Sequence, residues 1–265
     1  MSRLDKLLRI KATTRLLPEA RPYRVSPQGA KEAVLLLHGF TGIPRELAKV
    51  GDALAAAGYA VYAPRYPGHG TDRADFYSTR AEDWLRAAID AYLELAAEYE
   101  RVSVLGHSMG GLIATIVAAS FNAPRLILLA PAFKLTRQGG INLSPVLKVF
   151  KPVILRKRVN EETDPVRKAL FEDYWKDDLI AQAAQLLRLQ KAARRDLLRV
   201  HAKVLVLTGE KDEVVPASVA PYLAKNAIGA ASFEAKTIGG GGHGFPSEAG
   251  SDEAAGLVAG WMGRS

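Results

Sequence analysis

The sequence predicts an α/β fold: a doubly wound, mostly parallel sheet with a small, mainly helical segment inserted between two of its strands. Three observations lead there. From residue 33 onward, short runs rich in β-branched and other apolar residues alternate with helical patterns. The central runs are continuously apolar, as strands are when helices cover both faces of a parallel sheet. One stretch, residues 133–200, breaks the alternation and is about seventy residues long.

Taken in order, Ala33–Leu37, Tyr59–Ala63, Arg101–Leu105, Arg125–Leu129, Lys203–Thr208 and Ser232–Ile238 read as strands. Helices are expected over 44–57, 80–99, 109–121, 216–227 and 251–263. Pro44 and Pro216 each suit a first helical turn, where a missing N–H costs nothing. Gly58 suits a helix stop. Residues 133–200 are too long for an unstructured connection. They carry helical patterns of their own at Pro165–Tyr174 and Leu179–Arg199, and we read them as an inserted cap. The expected organisation is a basic N-terminal extension at 1–31, a core at 32–132 and 201–265, and the cap at 133–200.

Composition narrows the function classes. At 265 residues, 48% hydrophobic and 24% charged, the chain can bury a sizeable core. It has no cysteine, which excludes disulfides, thiolate metal sites and a cysteine nucleophile. No apolar stretch is long enough to span a bilayer. Met1–Leu17 intersperses its apolar residues with Arg and Lys, unlike a secretory signal, and a cytoplasmic location is expected. The net charge of +8 is uneven: +6 in residues 1–31, +7 in 133–200 and −5 in the remainder. Without a basic stripe interleaved with aromatics, no nucleic-acid partner is expected. The plain reading is a solvated surface. The sharper one is that the N-terminus and the insert face an anionic membrane surface or a negatively charged substrate.

The motif that carries chemistry is Gly106-His107-Ser108-Met109-Gly110-Gly111, placed between a strand and a helix. A Gly-x-Ser-x-Gly turn in that setting holds the serine in strained backbone geometry and lifts its hydroxyl clear of the sheet. Side chains at 106 and 110 would clash, hence glycine. Ser108 is therefore the candidate nucleophile. Acyl transfer also needs two N–H donors aimed at the developing oxyanion. Met109, directly after the nucleophile, offers one. The second is expected at Phe40, in His38-Gly39-Phe40-Thr41-Gly42 after the first strand.

A hydroxyl nucleophile needs a base held by a third group. Among the five histidines, His38 reads as bracing the loop and His69 as shaping another. His107 sits inside the elbow pointing away from the serine, and His201 precedes a strand at the opposite sheet edge. His243, in a loop after the last strand, is the expected base. Asp212 is the expected acid, with Glu210 and Glu213 as alternatives in Thr208-Gly209-Glu210-Lys211-Asp212-Glu213. Within the insert, Ile141, Leu143, Val146, Leu147 and Phe150, with Trp175, are expected to build an acyl pocket or the cap's own core.

These motifs, together with Tyr66-Pro67-Gly68-His69-Gly70 and the chain order Ser108…Asp212…His243, resemble the bacterial carboxylesterase and monoacylglycerol-lipase-like branch of the α/β-hydrolases. The resemblance runs from about residue 32 to the C-terminus and is weakest across 133–200. It implies a cofactor-free, metal-free esterase acting on short to medium acyl esters or monoacylglycerols, with Phe40 and Met109 as oxyanion donors. The four glycines before His243 exceed the family's pattern and raise the prospect of a mobile histidine loop. Rival readings are acyl transfer to an alcohol, carbon–carbon bond hydrolysis or peptidase action on the same triad, and a non-catalytic ligand-binding protein that has kept the fold.

Overall fold

The computed structural model describes residues 14–264, apart from 158 and 162. The first thirteen residues of the basic N-terminal extension lie outside the described residues. The described strands are β1 (Tyr23–Val25), β2 (Glu32–Leu37), β3 (Ala60–Ala63), β4 (Arg101–His107), β5 (Arg125–Leu129), β6 (Lys203–Gly209) and β7 (Ser232–Ile238). They form one sheet in the order β1-β3-β2-β4-β5-β6-β7. Only β1 is antiparallel, pairing with β3; the other neighbours run parallel. All residues of β2 from Ala33 onward, and all of β5, are buried, as their unbroken apolar runs require.

The described helices are α1 (Ala48–Ala56), α2 (Arg73–Ser78), α3 (Ala81–Glu98), α4 (Met109–Phe121), α5 (Gln138–Phe150), α6 (Pro165–Leu170), α7 (Ile180–Asp196), α8 (Val219–Asn226) and α9 (Ser251–Met262). Helices α3, α4 and α7 share one core layer against the sheet, and α1 and α9 pack together in the other. The sheet is therefore doubly wound.

Register positions the site. Leu37 pairs with Gly106, His107 with Leu129, and Gly209 with Ile238. The loops after β2, β4, β6 and β7 consequently leave the sheet at one edge, where parallel sheets place their ligands. Gly58, with φ +91°, follows α1 in the left-handed conformation that only glycine adopts freely.

Several elements differ from the sequence reading. Strand β1 was not expected, because three residues, with Arg24 exposed between half-buried Tyr23 and Val25, are too short a run to read an alternation from. The segment expected as a helix from Pro44 starts as a 3₁₀ turn, Pro44–Leu47, before α1. Pro216 does not open α8; its carbonyl accepts from Val219 N at 2.9 Å in a turn preceding the helix. Helix α5 carries Gly139, Gly140 and Pro145, three breakers that hide a helical pattern. Among its residues only Ser144 is buried.

Segment 133–200 divides into two parts by burial. Helix α7 packs on α4 and buries Leu186, Leu187, Leu189 and Ala193, so it acts as the crossover helix between β5 and β6. Helices α5 and α6 and the π-helical turn Phe171–Trp175 precede it, and α6 and that turn reach the edge where the four loops emerge. No helix among the described residues is long and apolar enough to cross a membrane.

Candidate active site

The strand-to-helix turn after β4 holds Ser108 at φ 52°, ψ −114°, a conformation that costs about 1–3 kcal/mol for a residue with a side chain. Hydrogen bonds over-determine it: Ser108 N donates to the Leu129 carbonyl at 2.9 Å, and Gly111 N and Ala132 N both donate to the Ser108 carbonyl. A Cβ at Gly106 would fall 2.1 Å from the Gly110 carbonyl oxygen, and one at Gly110 would fall 1.9 Å from that of Leu37. Both positions must be glycine for the turn to close. The hydroxyl then sits at the N-terminus of α4, where the helix dipole favours negative charge.

The structure brings three of the predicted residues into one chain of hydrogen bonds. His243 Nε2 lies 3.0 Å from Ser108 Oγ, and His243 Nδ1 lies 2.9 Å from Asp212 Oδ2. A carboxylate only accepts, so Nδ1 carries the proton and Nε2 is left to accept from the serine. The other Asp212 oxygen accepts from Val214 N and Val215 N, both at 2.8 Å. Burial pushes the Asp212 carboxyl up, but the hydrogen bond and charge of His243 and the two backbone N–H groups outweigh it and hold it below the ordinary range. The alternatives stand elsewhere. Glu210 accepts from Gly240 N at 2.7 Å, and Glu213 is exposed.

The glycine-rich loop before His243 is tied at several points. Lys211 N donates to the Gly241 carbonyl at 2.8 Å, and Gly240, at φ +66°, donates to the Glu210 carboxylate. Gly209 is also required here, since a Cβ would lie 2.5 Å from the Gly241 carbonyl oxygen. His107, inside the elbow, supplies a further tie: its Nε2 donates to the His243 carbonyl at 2.9 Å. Its Nδ1 faces Glu46 at 3.8 Å. Nothing in the sequence signals that contact beyond adjacency to the serine.

His38 and His69 are fully buried beside Tyr66, Phe76 and Trp84. The Tyr66 N–H donates to His38 Nε2, leaving His38 Nδ1 to donate to the Gly39 carbonyl at 3.0 Å, so the ring braces the loop after β2. Burial first, and the neighbouring His69 second, push His38 down to about 3; burial does the same to His69. Both are neutral near pH 7. His201 is exposed and contacts the Gly229 carbonyl.

In the loop after β2, Phe40 and Thr41 are the central residues of a β-turn closed by Gly42 N donating to the Gly39 carbonyl at 3.2 Å. Thr41 has φ +60° at the second central position, which favours glycine. Among the described residues, no hydrogen bond engages the amide of Phe40 or of Met109. The Phe40 ring packs edge-on against Phe76 and Trp84, fixing the turn from below.

A cavity of about 1000 Å³ opens over Ser108 and His243, with Phe40, Val166, Leu170 and Trp175 among its apolar walls. Exposed charged residues, Arg45, Lys49, Lys211 and Glu213 among them, also line it. A second cavity of about 420 Å³ adjoins it, sharing Phe40 and Trp175 and lined further by Ile141, Leu147 and Leu179. Here the sequence expectation needs correction. Ile141 and Leu147 line a cavity, but Leu143, Val146 and Phe150 project to solvent on the outer face of α5. A helix lying over the sheet edge has only one inward stripe, and these three fall outside it.

Comparison with known proteins identifies the family and the fold. Residues 34–259 match the model of the alpha/beta hydrolase family. The chain is 31% identical over 192 residues, 69% of this chain and 71% of the relative, to a thermostable monoacylglycerol lipase of Bacillus sp. (strain H-257). Over 86 residues, 32% of this chain and 35% of the relative, it is 41% identical to a carboxylesterase of Bacillus subtilis (strain 168). Among solved structures, a metagenome-derived lipolytic enzyme superposes with a TM-score of 0.80 at 21% identity, covering 95% of this chain and 100% of that one. At that identity the likeness concerns the fold.

Proposed function

The chain belongs to the alpha/beta hydrolase family, and on that premise we propose that it is a serine hydrolase that cleaves carboxylic esters through an acyl-enzyme on Ser108. The observation that carries the proposal is the chain of contacts from Ser108 Oγ to His243 at 3.0 Å and on to Asp212 at 2.9 Å, beside two amides that no described residue engages. In the first step His243 Nε2 takes the Ser108 proton as Oγ attacks the ester carbonyl. The Phe40 and Met109 N–H groups receive the negative charge on the carbonyl oxygen. His243, now cationic and facing the Asp212 carboxylate, passes its proton to the leaving alcohol. Water then attacks the acyl-enzyme with His243 again as base, and the acid departs.

The substrates we propose are short to medium acyl esters or monoacylglycerols, in keeping with the names of the two Bacillus relatives. The part of 133–200 preceding α7 acts as the cap that selects them, and a cytoplasmic location completes the reading. We extend the proposal to lipid surfaces. Residues 134–160 contain seven Lys/Arg and no Asp/Glu. Within them Leu143, Val146, Val149, Phe150, Leu155 and Val159 are exposed, Phe150 to 79%. An apolar and cationic face of that kind suits an anionic bilayer surface.

Hydrolysis rates on p-nitrophenyl esters of graded chain length and on a monoacylglycerol test the function, with Ser108→Ala as the blank. Ser108-dependent turnover is expected, and full turnover by Ser108→Ala would refute it. Co-sedimentation with anionic vesicles tests the surface reading. A Val149→Asp/Phe150→Asp variant should remain in the supernatant, and binding equal to the parent's would remove that extension.

A further inference from the structure

We propose that Trp175 is a positioning residue: its indole N–H, donated to the Thr41 carbonyl, lets the inserted segment set the turn that carries the Phe40 amide. The inference rests on the reading of Phe40 as an oxyanion donor.

Thr41 is the starting point. It occupies the left-handed place of the Gly39–Gly42 turn at φ +60°, although it is β-branched. Branched residues rarely hold that conformation, and they persist in it where surrounding contacts over-determine it. Inside the turn, Thr41 Oγ1 donates to the Phe40 carbonyl at 2.6 Å. From outside the turn, and 134 residues further along the chain, Trp175 Nε1 donates to the Thr41 carbonyl at 3.1 Å. The Phe40 ring is seated on Phe76 and Trp84, which anchors one side of the turn. Trp175 holds the peptide on the other side.

Trp175 is itself well placed to transmit the position of the insert. It closes the π-helical turn Phe171–Trp175, a local irregularity that turns side chains out of ordinary helical phase. The Arg167 guanidinium lies 5.6 Å over its ring and pairs with Glu248. Glu248 N in turn donates to the carbonyl of Gly244, the residue after His243, at 3.0 Å. One aromatic–guanidinium pair of the insert therefore touches both the oxyanion turn and the segment behind the base.

Trp175 also lines both cavities, so a role as a simple wall must be separated from positioning. Trp175→Phe keeps an aromatic ring beneath Arg167 and removes the N–H. Thr41→Gly makes the turn indifferent to outside support, since glycine adopts φ +60° without cost. The experiment measures kcat and KM on p-nitrophenyl butyrate for Trp175→Phe in the parent and in the Thr41→Gly background, with melting temperatures alongside. In the parent, kcat is expected to fall about tenfold, equivalent to about 1.4 kcal/mol, with KM within about twofold. In the Thr41→Gly background the same substitution is expected to cost less than about twofold in kcat. Equal kcat losses in both backgrounds, a change in KM alone, or no loss would each overturn the inference while leaving the proposed function standing. A parent without Ser108-dependent turnover would take both down together.

Discussion

Replacing Asp212 by asparagine keeps the shape of the acid and removes its charge, and the surrounding hydrogen bonds decide how the new amide must sit. One oxygen of Asp212 accepts from two backbone donors, Val214 N and Val215 N, each at 2.8 Å. In Asp212→Asn the amide oxygen must take that place, which turns the NH₂ toward His243. The ring then accepts at Nδ1 and carries its proton on Nε2, facing Ser108, where it cannot act as a base. Flipping the amide would restore the base but set its NH₂ against two backbone N–H groups at a side chain only 1% exposed. Val215 is only 2% exposed, and its N–H left unpaired costs about 1–3 kcal/mol, to which the exposed Val214 adds little. At 1.36 kcal/mol per factor of ten, kcat falls by roughly 5-fold to roughly 160-fold. The assay is kcat on p-nitrophenyl butyrate at pH 8, with Glu213→Gln and Glu210→Gln as controls that retain the Asp212–His243 pair. A loss below about threefold in Asp212→Asn, or an equal loss in Glu213→Gln, would refute the reasoning.

Other consequences can be measured on the same protein. His38 and His69 are both held neutral down to about pH 3, whereas the unfolded chain protonates them near pH 6.5. Below pH 6.5 the unfolded state binds more protons, so stability is lost as pH falls, by about 4 kcal/mol for the two between pH 7.5 and 5. Urea midpoints at the two pH values check this, and His69→Gln should remove about half of the slope. His107→Ala deletes the N–H donated to the His243 carbonyl, a contact worth about 1 kcal/mol, so kcat should fall about fivefold; a thousandfold loss would mean that His107 moves protons. Gly209→Ala drives a Cβ against the Gly241 and Gly242 carbonyl oxygens at 2.5 and 2.7 Å. A displacement of about 1 Å in the histidine loop can cost about a hundredfold, so activity should drop far more than the melting temperature.

Much of the core was legible because each element is governed by local pattern. The unbroken apolar runs of β2 and β5 and the glycines on either side of Ser108 leave few alternatives for a parallel sheet and a tight elbow. His243 could be chosen because it follows the last strand, whereas Asp212 was preferred to Glu210 and Glu213 on a helix starting at Pro216, which begins instead at Val219. What escaped was decided by tertiary contact. Helix α5 folds despite two glycines and a proline, and Pro216 stops short of α8 because its carbonyl closes a turn first. The division of α5 into an inward Ile141–Leu147 side and an outward Leu143–Val146–Phe150 side depends on how the insert sits, which no periodicity specifies. The glycine run before His243 suggested mobility in sequence, yet Glu210, Lys211 and His107 hold that loop through contacts that sequence spacing does not reveal.

The central claim is that Ser108, activated by His243, forms the covalent intermediate. Intact-mass and peptide-level analysis after brief exposure to a fluorophosphonate tests it most directly. One adduct per chain on Ser108 is expected, absent from Ser108→Ala and slowed by at least about a hundredfold in His243→Ala. Labelling at another residue, or an unchanged rate in His243→Ala, would contradict the account.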